Sequence, residues 1–531
     1  MNAPTAARDA RDRRAATIAM ACVGVFVAYL PVTTVSVSLP TIQRSLKAST
    51  ADLSWVTDAF VLPMAALILT AGVVGDVYGR RKVLHAGLAF CAVGAAIALS
   101  ADSVEVLWAG QAFAGIGAAA LLPATLGLIG HAVPDPRERA KYVSLWSASL
   151  IGALAVGPLI SGLILEHASW RWIYLTPIPA SLLAMVAAAR FVTDSRAAGA
   201  RRLDWAGQIT AAVAVTSLVY AVIEGGAASF GETRVVVALV LSAVAFLAFV
   251  VTELRSGSPM LDLKLFRSPA FTATALVAMI SFLGLIGFVF VLSLYLGQVQ
   301  QLGTLDAGYR MLMFTFTAML TGPLCGRIMH RVSARVLITG GLLLAACSLL
   351  LLTSIDADTS FGALAWRLIL LGIGFGAVFA PMTATAISSV PHRLAGMAAA
   401  GSNAFRQVGA ALGPALMGAL LTTAVGDALP GRLTDARLGT AAQQQVTGAV
   451  DRAGFGAVHA VDLGADTPRM LHAFTDAFLD GIHLCFIASA AIMLLAAVIS
   501  AVLLRRPRGG DTSAPTPAAA PRQAEEPALH H

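Results

Sequence analysis

Apolar runs of roughly 20 residues, separated by short polar connections, dominate this 531-residue chain. Runs of that length suit α-helices that cross about 30 Å of hydrocarbon, and they are too long for transmembrane strands of about 9–11 residues. The pattern predicts fourteen spanning helices, near residues 17–39, 53–75, 83–101, 105–131, 141–165, 172–192, 204–224, 234–253, 270–297, 308–328, 335–354, 362–389, 397–424 and 477–504. A β-barrel is excluded, and an all-α integral membrane protein is expected. An even number of spans puts both termini on one side. Placing the N-terminus inside assigns most of the 36 Lys and Arg to cytoplasmic segments, including Arg8, Arg11, Arg13 and Arg14 ahead of the first helix.

Composition agrees: 57% of residues are hydrophobic and 12% charged, against about 25% charged in soluble domains. The net charge of +7 is spread over many loops rather than gathered into a basic face, so no nucleic-acid partner is expected. Cys22, Cys91, Cys325, Cys347 and Cys485 all lie in apolar blocks without metal-ligand spacing, and they read as buried small residues. No cofactor box, metal site or nucleophile arrangement is present, and Gly372, Gly374 and Gly376 read as helix packing. An enzyme is therefore not expected.

The polar connection after the second block is the most patterned: Gly72, Gly75, Asp76, Gly79, Arg80, Arg81 and Lys82. Asp76 at a helix end can pair with a neighbouring helix's positive N-terminus, and the basic run can rest on an anionic leaflet. The competing reading is a purely topogenic charge cluster. A degenerate echo runs from Gly326 to Arg335 with the same nine-residue spacing as Gly72 to Arg81, which suggests a duplicated bundle. Gly152, Gly157, Pro158 and Gly162 stud the fifth block, where small residues permit close approach and a proline removes a backbone hydrogen bond. Asp58 is placed one to two turns into the second block, and Arg406 lies more than two turns into the thirteenth beside Asn403, Gln407 and Gly409. A cation at that depth is expected to face a partner or a wet cavity.

These features together resemble the major facilitator superfamily, and within it the fourteen-helix drug:proton antiporters of the EmrB/QacA type. The resemblance covers residues from about 20 to 504, and its strongest element runs from Trp55 and Asp58 to Gly72, Asp76, Gly79, Arg80 and Arg81. The glycine-proline run of the fifth block is similar to the motif that marks exporters, followed by Trp170-Arg171-Trp172-Ile173-Tyr174. Arg202-Leu203-Asp204-Trp205 and Pro259-Met260-Leu261-Asp262-Leu263 resemble the branch with two extra central helices. The resemblance implies two six-helix bundles, 17–192 and 270–504, flanking extra helices within 193–269. An N-terminal segment covers 1–16, an outer loop 425–476 and a tail 505–531. The tail is expected to be disordered, and the loop is read as a flexible cap in preference to a docking surface.

The implied activity is efflux of lipophilic organic compounds across the cytoplasmic (inner) membrane, with protons as the exchanged ion and a periplasmic adaptor left open. Gly72, Asp76, Gly79, Arg80 and Arg81 would form a conformational latch, and Asp58 would carry the proton. Two positions depart from the family pattern: Pro31 stands where an acid is usual in helix one, and Gln111 where an arginine is usual in helix four. These departures put coupling in doubt, and few intramembrane acids argue against a dicationic substrate. The alternatives are a weakly coupled exporter of one endogenous metabolite and a non-transporting membrane sensor. Gln111, Asn403 and Arg406 are candidate cavity or structural polar groups. Asp476, Asp480 and His483, spaced four and three apart, form a second titratable patch that can be a proton relay or a solvated face.

Overall fold

The computed structural model describes residues 3–133, 135–196, 204–227, 229–259, 261–329, 331–390 and 395–504. Arg202, Leu203, Met260, His330 and the tail 505–531 lie outside the described residues. The described residues contain helices and no strands, and fourteen helices are long and apolar enough to span a membrane.

The first bundle comprises α1 (Ala3–Leu46), α2 (Thr50–Tyr78), α3 (Arg80–Leu99), α4 (Val104–Ala132), α5 (Pro136–His167) and α6 (Pro177–Phe191). Then come α7 (Trp205–Ala227) and α8 (Thr233–Arg255). The second bundle contains α9 (Pro269–Leu294), α10 (Thr304–Ile328), α11 (Ala334–Leu352), α12 (Phe361–Ser388) and α13 (Ala395–Asp435), followed by a short α14 (Thr440–Ala453) and α15 (Thr467–Leu503). The face where α1 begins and α15 ends is termed the terminal side, and the opposite face the far side.

Local chemistry sets several helix starts. Ser49 caps α2 reciprocally with Asp52, the backbone N–H of each being bonded by the other's side chain at 2.8 and 3.1 Å. Ser103, Ser333 and Ser360 accept the third backbone N–H of α4, α11 and α12. Within the first bundle small residues bring backbones together: a Cβ placed on Gly94 or Gly110 would collide with the backbone of the facing helix, α4 or α3. The second bundle is held by rings, with Phe288 packed against Phe314 and Phe486, and Phe314 against Phe375, at centroid separations of 5.8–5.9 Å. In lipid such packing, rather than exclusion of water, is what joins helices.

The bundles meet along two seams, α5 against α10 and α2 against α13. The α5–α10 seam is tight on the far side and loosens toward the terminal side. A Cβ on Gly162 would lie 2.6 Å from Leu305 Cα, whereas one on Gly152 would reach only Met319 Sδ, at 4.0 Å. Helix α8 buries a narrow stripe, Val235, Ala238, Ser242 and Ala245, and exposes Val237, Val240, Val244 and Leu247. One buried stripe and an otherwise apolar surface is what a lipid-facing helix requires. Helix α7 touches both bundles. Near the terminal side Gln208 donates to the Ala66 carbonyl of α2 at 2.6 Å and bonds Thr70, and near the far side Gly226 packs against Ala419 of α13.

The segment 425–476, expected as a flexible cap, is built from regular structure. Helix α13 continues to Asp435, α15 begins at Thr467, and α14 fills part of the interval. Hydropathy marks where lipid contact ends, and these helices continue past it because Leu429, Leu433, Val446, Phe455 and Val458 are buried against protein. Phe455 packs on Phe478 of α15, ring centroids 5.0 Å apart. The five cysteines are free, and Cys347 is exposed rather than buried, on α11.

Candidate functional site

Asp58 lies eight residues into α2, about 12 Å along the helix at 1.5 Å per residue. Its residue is 0% exposed, and neither carboxyl oxygen has a hydrogen-bond partner among the described residues. Ser54, one turn away on the same face, sits against Gly418 of α13, a Cβ on which would come 2.7 Å from its Oγ. Asp58 therefore shares the face of α2 that meets the other bundle. Gln111 lies on a different face: its amide donates to the Val56 carbonyl at 3.2 Å, clamping α4 to α2. Pro31 lines a small pocket with Tyr174, Thr176 and Pro177 at the junction of α1 and α6.

A second polar group spans the bundles. Gln407 of α13 donates to the Tyr29 hydroxyl of α1 at 3.0 Å. Arg406, only 2% exposed, lies beside it with the guanidinium 4.8 Å from the Phe379 ring centroid and 5.4 Å from that of Phe282. The Tyr29 phenol is within electrostatic reach of this cation. Among the described residues Arg406 has no carboxylate partner, and its Nε has no acceptor. A cation at the bilayer centre costs about 2.5–3.5 kcal/mol on insertion scales, and two ring contacts return about 1–4 kcal/mol. The ring contacts offset the charge, and Nε is left without an acceptor among the described residues. Asn403, one turn earlier, is also buried and carries an interaction of its own.

The Gly152–Gly162 run proves to be interface. Gly157 sits against Thr33 and Thr34 of α1. The Pro158 carbonyl faces Gly308 of α10 so closely that a Cβ there would lie 2.6 Å away.

The patterned loop between α2 and α3 is held within the first bundle. Arg80 bonds Asp76 Oδ1 through Nε and Nη2 at 3.2 and 2.8 Å, and the Gly127 carbonyl of α4 through Nη1 at 3.0 Å. Asp76 thus pairs with the side chain of Arg80, the first residue of α3, rather than with that helix's backbone N–H groups. The acid at the N-terminus of α3 is Asp194, beyond α6, which accepts from the Arg81 and Ser195 backbone N–H groups at 3.1 and 3.0 Å. Arg81 reaches the Ala189 carbonyl at 2.6 Å. Gly79 has φ +113°, and a Cβ there would run into the Asp194 carboxylate, so glycine is required twice over. Gly72 faces Pro123 of α4 at ordinary contact distance.

Asp476, Asp480 and His483 are not brought into one chain. Asp476 pairs with His472 at 3.1 Å, Asp480 with Arg432 at 2.6 Å, and His483 bonds the Ile355 carbonyl at 2.8 Å.

Two helical bundles joined along seams, with a bare buried acid and a bare buried base near them, make this an integral membrane protein of the transporter class. The sequence matches the Major Facilitator Superfamily over residues 21–414, and the chain belongs to that family. It is 30% identical over 518 residues to the tetracenomycin C resistance and export protein of Streptomyces glaucescens, covering 97% of this chain and 95% of that protein. It is 31% identical over 398 residues to the multidrug resistance protein Stp of Mycobacterium tuberculosis (strain CDC 1551 / Oshkosh), covering 75% and 74% respectively. Among solved structures it resembles a bacterial homologue of the human lysosomal transporter Spinster in an inward-facing, unoccupied conformation, with TM-score 0.61, 15% identity and coverage of 92% of this chain and 97% of that one. That likeness concerns the fold.

Proposed function

We propose that the chain exports lipophilic organic compounds across the cytoplasmic membrane in exchange for protons, with the terminal side facing the cytoplasm. Relatives named for antibiotic resistance and export support the substrate class and direction. The observation that carries the coupling is Asp58, enclosed without a donor or cation among the described residues on the face of α2 that meets the second bundle. An unpaired carboxylate in such a place is costly, and a bound proton removes the cost. A proton taken from one side and released when the seam rearranges gives antiport. Gln111 is committed to the Val56 carbonyl and leaves this role to Asp58.

Gly157, Pro158 and Gly162 support the rocking interface, since they bring α5 close against α1 and α10, and Gly152 marks its looser end. Gly72, Asp76, Gly79, Arg80 and Arg81 act as the latch, in which Asp76 and Arg80 exchange partners between states. The test is substrate-driven proton release in inverted vesicles under an imposed pH gradient. Native protein is expected to release protons with neutral lipophilic compounds, and Asp58→Asn to abolish release. Proton release that persists in Asp58→Asn refutes the assignment. Transport without any proton movement in the native protein favours an uncoupled exporter.

A further inference from the structure

Arg406 is poised for a negative charge that the described residues do not supply. Its guanidinium is buried, seated over the Phe379 and Phe282 rings at the side of that pair, and free of any carboxylate among the described residues. It lies where α13, α12 and α9 of one bundle face Tyr29 of the other, and Gln407 ties that junction together. The buried acid Asp58 belongs to the α2 face that packs on α13 near Gly418, and no ion pair joins it to Arg406.

We infer that Arg406 receives the acidic group of the exported compound, so that the transporter favours planar aromatic acids over neutral analogues of the same shape. The guanidinium fork matches a carboxylate or a delocalised oxyanion with two parallel N–H donors. Phe282 and Phe379, 5.8 Å apart and tilted by 48°, offer apolar ring faces directly beside that fork, suited to the aromatic body of the same molecule. A dication would meet the opposite, a fixed positive charge in a low-dielectric site, and is disfavoured. This inference rests on the export reading, since it names the chemistry of the compound exported.

The experiment is equilibrium binding to purified full-length protein in detergent, using 9-anthroate and 2-naphthoate beside their uncharged amides. A charge-assisted hydrogen bond corresponds to about 10- to 100-fold in affinity, so native protein should prefer each acid by at least about tenfold. Arg406→Gln should bind acid and amide with equal affinity. Arg406→Lys, which keeps the charge but not the planar fork, should show an intermediate preference, and it decides the matter if Arg406→Gln does not fold. Equal affinity for acid and amide in native protein overturns the inference. So does failure of both acids to bind, or a preference for the acids that stays undiminished in Arg406→Gln or in Arg406→Lys. Vesicle flux of the neutral amides separates the two readings: a native protein that discriminates acids in binding yet moves no compound refutes export and leaves the Arg406 assignment intact.

Discussion

Gln298, just beyond α9, donates through its side-chain amide to Oε1 of Gln43 in α1 at 2.9 Å, joining the two bundles at the far end of the seam. Both side chains are buried, and Gly454 and Gly456 of the loop after α14 lie over Gln43. The far side is thus closed by a neutral hydrogen bond under an ordered cover.

Breaking that bond should bias the protein toward opening on the far side. A neutral hydrogen bond contributes about 0.5–1.5 kcal/mol net, so Gln298→Ala should shift the equilibrium by about two- to tenfold. Labelling of a Thr41→Cys reporter by a membrane-impermeant maleimide measures it. An unchanged labelling rate would mean the bond does not hold the gate.

The graded tightness of the α5–α10 seam predicts graded sensitivity. Gly162→Val forces a side chain against Leu305, and overpacking costs about 1–3 kcal/mol, so vesicle accumulation of exported compound should fall about tenfold. Gly152→Ala, where the nearest atom is 4.0 Å from the added Cβ, should stay within about twofold by the same reasoning. Equal losses at both positions would argue against a gradient in the seam.

The helix cap made by Asp194 should be measurable in stability. Asp194→Ala removes the acceptor for two backbone N–H groups and should cost about 0.5–2 kcal/mol. Gly79→Ala adds a strained φ and a clash and should cost more. Thermal unfolding in detergent, followed by intrinsic fluorescence, ranks the two, and an Asp194→Ala protein as stable as native would show the cap to be idle.

His459 keeps an exposed edge, but partial desolvation against the cover, together with the nearby Arg44, holds its imidazole below its ordinary 6.5, and the ring contacts the Gln301 amide at 2.7 Å. A depressed histidine favours the folded cover when neutral, so the full stability is present above the unfolded value. It is lost as pH falls from there through the lower folded value. Hydrogen exchange of residues 454–460 should therefore accelerate on acidification, and His459→Gln should flatten that dependence.

Much of this architecture is legible in the chain because lipid imposes a simple rule: each spanning helix must be apolar over its length. The glycine-rich loop and the α5 glycines are also local patterns, visible as spacing. What local pattern does not reveal is partnership at a distance. Gln407 and Tyr29 are 378 residues apart, Gln298 and Gln43 are 255 apart, and nothing beside Asp194 announces that it caps α3. Asp76 illustrates the limit well: its position at a helix end is plain in the sequence, but not that its partner is the Arg80 side chain at the start of α3 while Asp194 takes that helix's backbone N–H.

Helix α7 leans on α2 near the terminal side, through Gln208, and on α13 near the far side, through Gly226. It therefore crosses the joint between the halves diagonally, as a brace crosses a frame. Rigid halves cannot tilt against one another without swinging or sliding such a member, and α8, bonded to it by Ser242 at 2.8 Å, is carried along through the lipid. The central pair is thereby a mechanical element: it guards one flank of the joint and leaves the α5–α10 flank as the unbraced edge along which the molecule can part.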